Sequence, residues 1–354
     1  LLLLLIVVVI NIVNVDFYGK IESIVTIAMM VLFVLLAVLG NLHIGEMINV
    51  ATPVDSTNSF LPEGGWSAVL GATGSAIWFF IGFEFACPMA EENKKPYKYI
   101  PYALITGLIT IYVVDSLFAI AAVRYTDLEI LKSSSTPQIE AASAIMGKWG
   151  YIIMVTLTIM ASFTTANAYL ASLPRMLYGL SRQSLVPKCF SKINKRFRTP
   201  IIGIIFTAVI ILITIIYITV NGANTDVVQG LINVASITWM VSYAIAMIDV
   251  LVLRKKYPDF PRLWNAPYAK ITMPLGLLGV AFAIFTLRDY FIYALICMGI
   301  VALYCFLWGK YRRIDMKEVP NIEDTVINIK NRSEYLEIWD EAVDEWCKAH
   351  ASKK

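Results

Sequence analysis

Histidine is nearly missing from this sequence: only His43 and His350 occur in 354 residues. There is no HExxH pair, no glycine-rich Walker loop and no serine nucleophile elbow, so the motif-borne chemistries of metallohydrolases, nucleotide enzymes and serine hydrolases have no carrier here. Cysteine is scarce and unpaired. Cys87, Cys189, Cys297, Cys305 and Cys347 form no CxxC spacing and mostly fall in or beside apolar stretches, which is the pattern of buried thiols rather than of a disulfide framework. Charge is thin as well, at 16% of residues against about 25% in soluble domains. With 58% hydrophobic residues and a mean hydropathy of +0.69, the balance excludes an ordinary soluble domain and points to an all-α polytopic membrane protein.

Nine apolar stretches carry that excess: 1–13, 23–42, 66–90, 100–122, 149–174, 200–220, 230–253, 271–287 and 290–309. A helical crossing needs about 20 such residues, so the first is short. It opens as LLLLLIVVVI with no charged region before it, which reads as a helix entered part-way in an N-terminally incomplete chain, not as a secretory signal. Charge between the stretches alternates. Residues 44–65 hold no lysine or arginine, whereas 89–101 hold Lys94, Lys95 and Lys98; 175–200 hold Arg175, Arg182, Lys188, Lys192, Lys195, Arg196 and Arg198. Residues 219–229 are again bare, 254–270 are basic, and the chain leaves its last span through Lys310, Arg312 and Arg313. Arg124, Lys132, Lys148 and Arg288 are the few exceptions. Positive loops favour the cytoplasm, so the basic loops and the tail are expected there, in a multi-pass protein of the plasma membrane.

The segment WFFIGFEFACPMAEENKKP, residues 78 to 96, interrupts a membrane-grade run with Gly82, Glu84 and Pro88. Within hydrocarbon a helix can break only where protein or a water-filled cavity satisfies the freed backbone, and an acid there costs about 2.5–3.5 kcal/mol on insertion scales. The expectation is an unwound helix beside a polar cavity, as in secondary transporters; the alternative is a kinked helix whose glutamate reaches cytoplasmic water.

Trp78 through Glu84, followed by Glu91, Glu92, Asn93 and Pro96, resembles the sixth helix and following loop of amino acid–polyamine–organocation (APC) permeases. RMLYGLSRQSLVP, from Arg175 to Pro187, resembles that family's stretch after the eighth helix. Tyr257, Pro258 and Asp259 with Arg262 to Pro267 resemble the loop after its tenth. The resemblance covers residues 1 to 311. It implies a leucine-transporter-like bundle of two inverted five-helix repeats, with the fourth to twelfth helices present, a second repeat over 66–253, and residues 312–354 as an acidic cytoplasmic tail. It further implies that backbone groups around Ile81, Gly82 and Phe83 receive the substrate's ammonium, that Trp78 is an aromatic lid, and that Glu84 gates or senses protons. Thr164 and Thr165 would border the place where sodium sits in sodium-driven relatives, with Thr165 and Tyr169 also facing substrate. The simpler readings stand beside these: Trp78 as a belt tryptophan, and the hydroxyls of 149–174 bonding their own helix or a neighbouring one. Some proton-linked members carry a lysine in the fifth helix; the corresponding position here is Met29, so the coupling ion stays open between protons and sodium, beside exchange.

Asp115 matches no motif of that family and reads as a packing or outer-vestibule residue, and Asp249 as an edge ion pair. In the tail, residues 318 to 345 hold nine acids against Lys330 and Arg332. From Ser333, the residues Leu336, Trp339, Val343 and Trp346 fall on one face of an expected helix. The function that follows is a secondary active transporter moving an amino acid or related amine by alternating access, through proton symport or exchange, with a non-transporting receptor or partner subunit as the alternative. No enzyme activity, cofactor, metal or nucleic acid is implied. Membrane lipid is a partner, and a homodimer is compatible with the sequence.

Overall fold

The computed structural model describes residues 2–13, 15–54, 64–92, 96–197, 199–220, 225–262 and 264–312. The expected tail helix from Ser333 therefore lies outside the described residues. Among these the chain is helical, with no strand. We number the longer helices α1 (Leu2–Val13), α2 (Val15–Asn41), α3 (Gly65–Gly71), α4 (Pro96–Tyr125), α5 (Pro137–Arg182), α6 (Ile201–Val220), α7 (Thr225–Lys256), α8 (Ala269–Thr286) and α9 (Arg288–Arg312). Eight segments are long and apolar enough to cross a membrane, and α1 is a shorter apolar helix. Their surfaces explain the hydropathy: aliphatic and aromatic side chains point outward along nearly every helix, which is stable only against lipid.

Two boundaries differ from those read in the sequence. The second span begins at Gly19 rather than residue 23, because α2 continues without a break through Lys20 and Glu22. In α5 the backbone leaves helical geometry at Met146 and Gly147, the latter with φ of 57°, so the span read from 149 follows an amphipathic lead-in that begins at Pro137 on the N-cap side of the kink.

The chain divides into two compact units. The first comprises residues 1–66, 82–88 and 105–228. Its core joins Leu36 of α2, Ala121 and Tyr125 of α4, and Ile145, Met154 and Leu157 of α5, while Val7, Leu170 and Ile204 form a second core among α1, α5 and α6. Small residues set the spacing. A Cβ at Gly45 would come within 2.7 Å of the Ala51 Cβ, so the turn after α2 packs by backbone. Of the described residues, the second unit comprises those within 67–81, 89–104 and 229–312, centred on Ile237 and Met240 of α7, Val280 and Ala283 of α8, and Ala294 of α9. There the Gly74 N–H donates to Thr286 Oγ1 at 3.0 Å. The Arg262 guanidinium donates to the carbonyls of Tyr257, Pro258 and Phe260, which closes the loop after α7 on itself.

A polar cluster marks one end of the first unit. The Glu46 carboxylate accepts from Tyr125 Oη at 2.6 Å and from Arg124 Nε at 3.2 Å, so Arg124, an exception to the charge alternation, is paired. The Tyr125 hydrogen bond, then the Arg124 guanidinium, hold the Glu46 carboxyl below its ordinary value of 4.5. A depressed carboxyl stabilises the fold above its unfolded pKa and loses that contribution as pH falls through the folded one. Glu46→Gln is therefore expected to lower the unfolding temperature of the solubilised protein modestly at pH 7, with the gap to wild type closing below about pH 4.5; a gap independent of pH would remove the ionised carboxylate from the account.

Candidate functional site

The segment from Gly65 to Pro88 is long and apolar enough to span, yet it is not one helix. α3 ends at Gly71, a four-residue turn covers Thr73–Ala76, and a tight 3-10 turn covers Ile77–Phe80. Ile81 is then extended (φ −78°, ψ 139°) and Gly82 takes φ of 109°. A second 3-10 stretch, Phe83–Glu92, contains Pro88, which lacks an N–H. The break has a local cause. A side chain at Gly82 would meet only the Phe85 ring at 3.8 Å, so space does not demand glycine; the positive φ does. Around the break the hydrogen bonds shorten to three-residue steps, Ile81 N–H to the Trp78 carbonyl at 3.2 Å and Phe85 N–H to the Gly82 carbonyl at 3.1 Å. The Gly82 N–H donates to Glu84 Oε2 at 3.2 Å, so Glu84 turns back to cap the strained peptide.

Within the first unit, α5 holds the part of the segment after the break. The buried Phe85 ring meets Tyr169 edge-on, with centroids 4.7 Å apart, and Ser172 Oγ donates to the Phe85 carbonyl at 2.9 Å. Tyr169 and Ser172 are three residues apart and share one face of α5. Phe83, Glu84 and Tyr169 are partly buried. Thr164 is buried and donates to the Ala161 carbonyl at 3.1 Å. Thr165, the next residue, is exposed, since successive residues of a helix point about 100° apart. The structure therefore places Tyr169 beside the broken segment but does not gather Thr164 and Thr165 on one surface. Thr156, Thr158 and Ser162 bond the carbonyls four residues back in their own helix. Trp78 and Ile81, the last part of the second unit's stretch before the break, are partly buried, while Phe79 is exposed. Asp115 lies partly buried on α4.

One constellation escaped the sequence reading. Asn167 of α5 is fully buried and donates to Glu22 Oε2 of α2 at 2.6 Å, and its own Oδ1 accepts from Asn11 Nδ2 of α1 at 2.7 Å. Asn11 also donates to the Val7 carbonyl at 3.0 Å. The available signal was an asparagine within the apolar opening stretch, another in the hydroxyl-rich span, and an acid immediately before the span read as 23–42, which begins earlier in the structure.

Eight helical segments of membrane length, one of them broken, define an all-α polytopic membrane protein. The chain belongs to the amino acid permease family, which it matches over residues 1–307, and so to the APC superfamily; a permease family places it among transport proteins rather than enzymes. It is 26% identical over 271 residues to the D-serine/D-alanine/glycine transporter of Escherichia coli K12, covering 74% of this chain and 57% of that protein. It is 25% identical over 297 residues to the glutamate/serine transporter AimA of Bacillus subtilis, covering 81% and 52%. It is 25% identical over 253 residues to the branched-chain amino acid permease BcaP of the same organism, covering 69% and 52%. The chain thus spans little more than half the length of these relatives.

Proposed function

We propose that the protein carries an amino acid or a related amine across the cell membrane by alternating access, as a secondary transporter working by proton symport or substrate exchange. The observation that carries this reading is the backbone break at Ile81 and Gly82 inside a membrane-length segment, because peptide groups released from a helix can bind a zwitterion at a depth where water cannot. The relatives are named for glycine, serine, glutamate and branched-chain substrates. Their common part is the ammonium and carboxylate, the part that backbone groups recognise without regard to side chain. Ile81, Gly82 and Phe83 are assigned to the ammonium, Trp78 to an aromatic lid, Tyr169 and Thr165 to the substrate's flank, and Glu84 to the gate through its bond to the Gly82 N–H. Thr164, which is buried, borders a candidate ion site. Residues 1–311 form the permease domain with 66–253 as its second repeat, and the basic loops and the tail from 312 face the cytoplasm.

Purified full-length protein in liposomes loaded with unlabelled serine, glycine, glutamate or leucine is expected to accumulate the labelled form of at least one by counterflow, with saturation. Binding without accumulation would replace the transporter by a receptor that keeps the permease fold.

A further inference from the structure

We propose that Glu22 is the proton-carrying group of this transporter, discharging its proton to the side of the basic loops, with Asn167 and Asn11 as its positioning residues. The inference rests on the transporter reading above and chooses, within it, proton symport over exchange alone.

The geometry begins with polarity. The Val7 carbonyl receives the Asn11 amide, the Asn11 amide also donates to Asn167 Oδ1, and the Asn167 amide donates to Glu22 Oε2. Both asparagines are at least nine-tenths buried, so the only acceptors within their reach are on the protein, and the donors line up toward the carboxylate. A hydrogen bond of 2.6 Å to an ionised oxygen is charge-assisted and favours the ionised form. Protonation of Glu22 removes that charge and weakens the tie between α2 and α5. The carboxylate is thus both a proton acceptor and a clasp between two helices.

Position gives the direction. Thr199 Oγ1, at the end of the basic 183–199 loop, donates to the Ile12 carbonyl at 3.1 Å, so the C-terminal end of α1 lies at the face where that loop sits. Glu22 is seven residues into α2, about 10 Å from its start, and Asn11 is two residues before the end of α1, about 3 Å from it. The cluster therefore lies within two to three turns of the basic-loop face, and Glu22 is only partly buried. The step balances simply: one proton binds a Glu22 carboxylate oxygen and later leaves that oxygen for water on the basic-loop side, with no other bond made or broken.

Among the described side chains few other groups can serve. α1 carries no titratable side chain among its described residues and α6 carries only Tyr217. On α5, Tyr169, Arg175, Tyr178 and Arg182 lie two, eight, eleven and fifteen residues beyond Asn167; Arg175 donates to the Ala171 carbonyl and Arg182 stacks over the Tyr178 ring. Glu140, Lys148 and Tyr151 lie toward its opposite end. On α2 itself Lys20 is exposed. From α4 and from the turn after α2, Arg124, Tyr125, His43 and Glu46 cluster beyond the other end of α2, where Asn41 donates to the Leu117 carbonyl; Asp115 is on α4, two residues before Leu117.

The test uses full-length protein in liposomes containing a pH-sensitive dye, with labelled amino acid supplied to wild type, Glu22→Gln, Glu22→Asp and Glu84→Gln. Wild type should accumulate substrate under an inward proton gradient and acidify the lumen only when substrate is present. Glu22→Gln should lose substrate-dependent acidification and at least tenfold of gradient-driven accumulation while counterflow remains measurable, Glu22→Asp should restore part of both, and Glu84→Gln should keep acidification in proportion to its uptake. Gradient-driven accumulation and acidification in Glu22→Gln equal to wild type would overturn the assignment, as would a wild type that performs counterflow yet shows no substrate-dependent acidification during net uptake. Absence of counterflow in wild type would instead remove the transporter reading on which the assignment stands.

Discussion

Replacing Gly82 by valine is expected to abolish substrate uptake, to below a tenth of wild type, while leaving the protein inserted and foldable. At φ of 109° a β-branched residue costs about 1–3 kcal/mol, and nothing nearby compensates it, since the added Cβ would touch only the Phe85 ring. The strain can relax by rotating the Ile81–Gly82 peptide back toward helix. That rotation would pull the Gly82 N–H from Glu84 and close the gap in the ladder that the proposed substrate fills. Counterflow in liposomes and a thermal unfolding curve separate the two consequences: near-normal stability with uptake lost is the expected pair. Normal uptake would show that the break is not where the substrate binds. Gly82→Ala should show the same effect at smaller amplitude, because alanine lacks the β-branch but still resists this φ.

The second large effect concerns Asn167. Asn167→Leu keeps volume roughly while deleting the amide, which leaves the Asn11 amide and the Glu22 carboxylate without their shared partner. Unsatisfied buried polar groups cost about 1–3 kcal/mol each, and Asn11 is only 6% exposed, so unfolding in detergent should move by an amount of that order. Asn167→Asp sharpens the result. It sets a second carboxylate beside Glu22, and two acids at hydrogen-bond distance must share one proton. One shared proton holds the pair together and its loss sets two charges against each other, so the stabilising form is present at low pH and is lost as pH rises. Asn167→Asp is expected to approach wild-type stability near pH 5 and to fall well below it at pH 8. Equal deficits at both pH values would show that Asn167 acts by packing alone.

Much of this protein was legible in its residues. The apolar stretches from 23–42 onward correspond to the long helices because, in lipid, a run of about 20 apolar residues has hardly any other way to satisfy its backbone. The motifs from Trp78 to Glu84, Arg175 to Pro187 and Tyr257 to Pro267 led to the family that the whole-chain comparison identifies. Boundaries were less legible: a charged residue inside a helix looks like a loop until the helix is seen to continue, which is how Glu22 came to stand outside the span that contains it. Thr164 and Thr165 show a second limit. Adjacent hydroxyls in one span look alike as letters, yet one is buried and the other exposed.

Composition and periodicity by themselves determined that this chain is a many-helix membrane protein, with one span too polar and too glycine-dependent to be continuous; the permease kind came from the resemblance of its motifs. Only the tertiary structure decided that Asn11, Glu22 and Asn167 meet, because residues 145 and 156 positions apart are joined by helix packing that no local pattern encodes. Likewise the pairing of Phe85 with Tyr169, and of Glu46 with Tyr125 and Arg124, follows from which faces α2, α4 and α5 turn toward each other, a choice made by the whole bundle as it buries small residues and satisfies its polar ones.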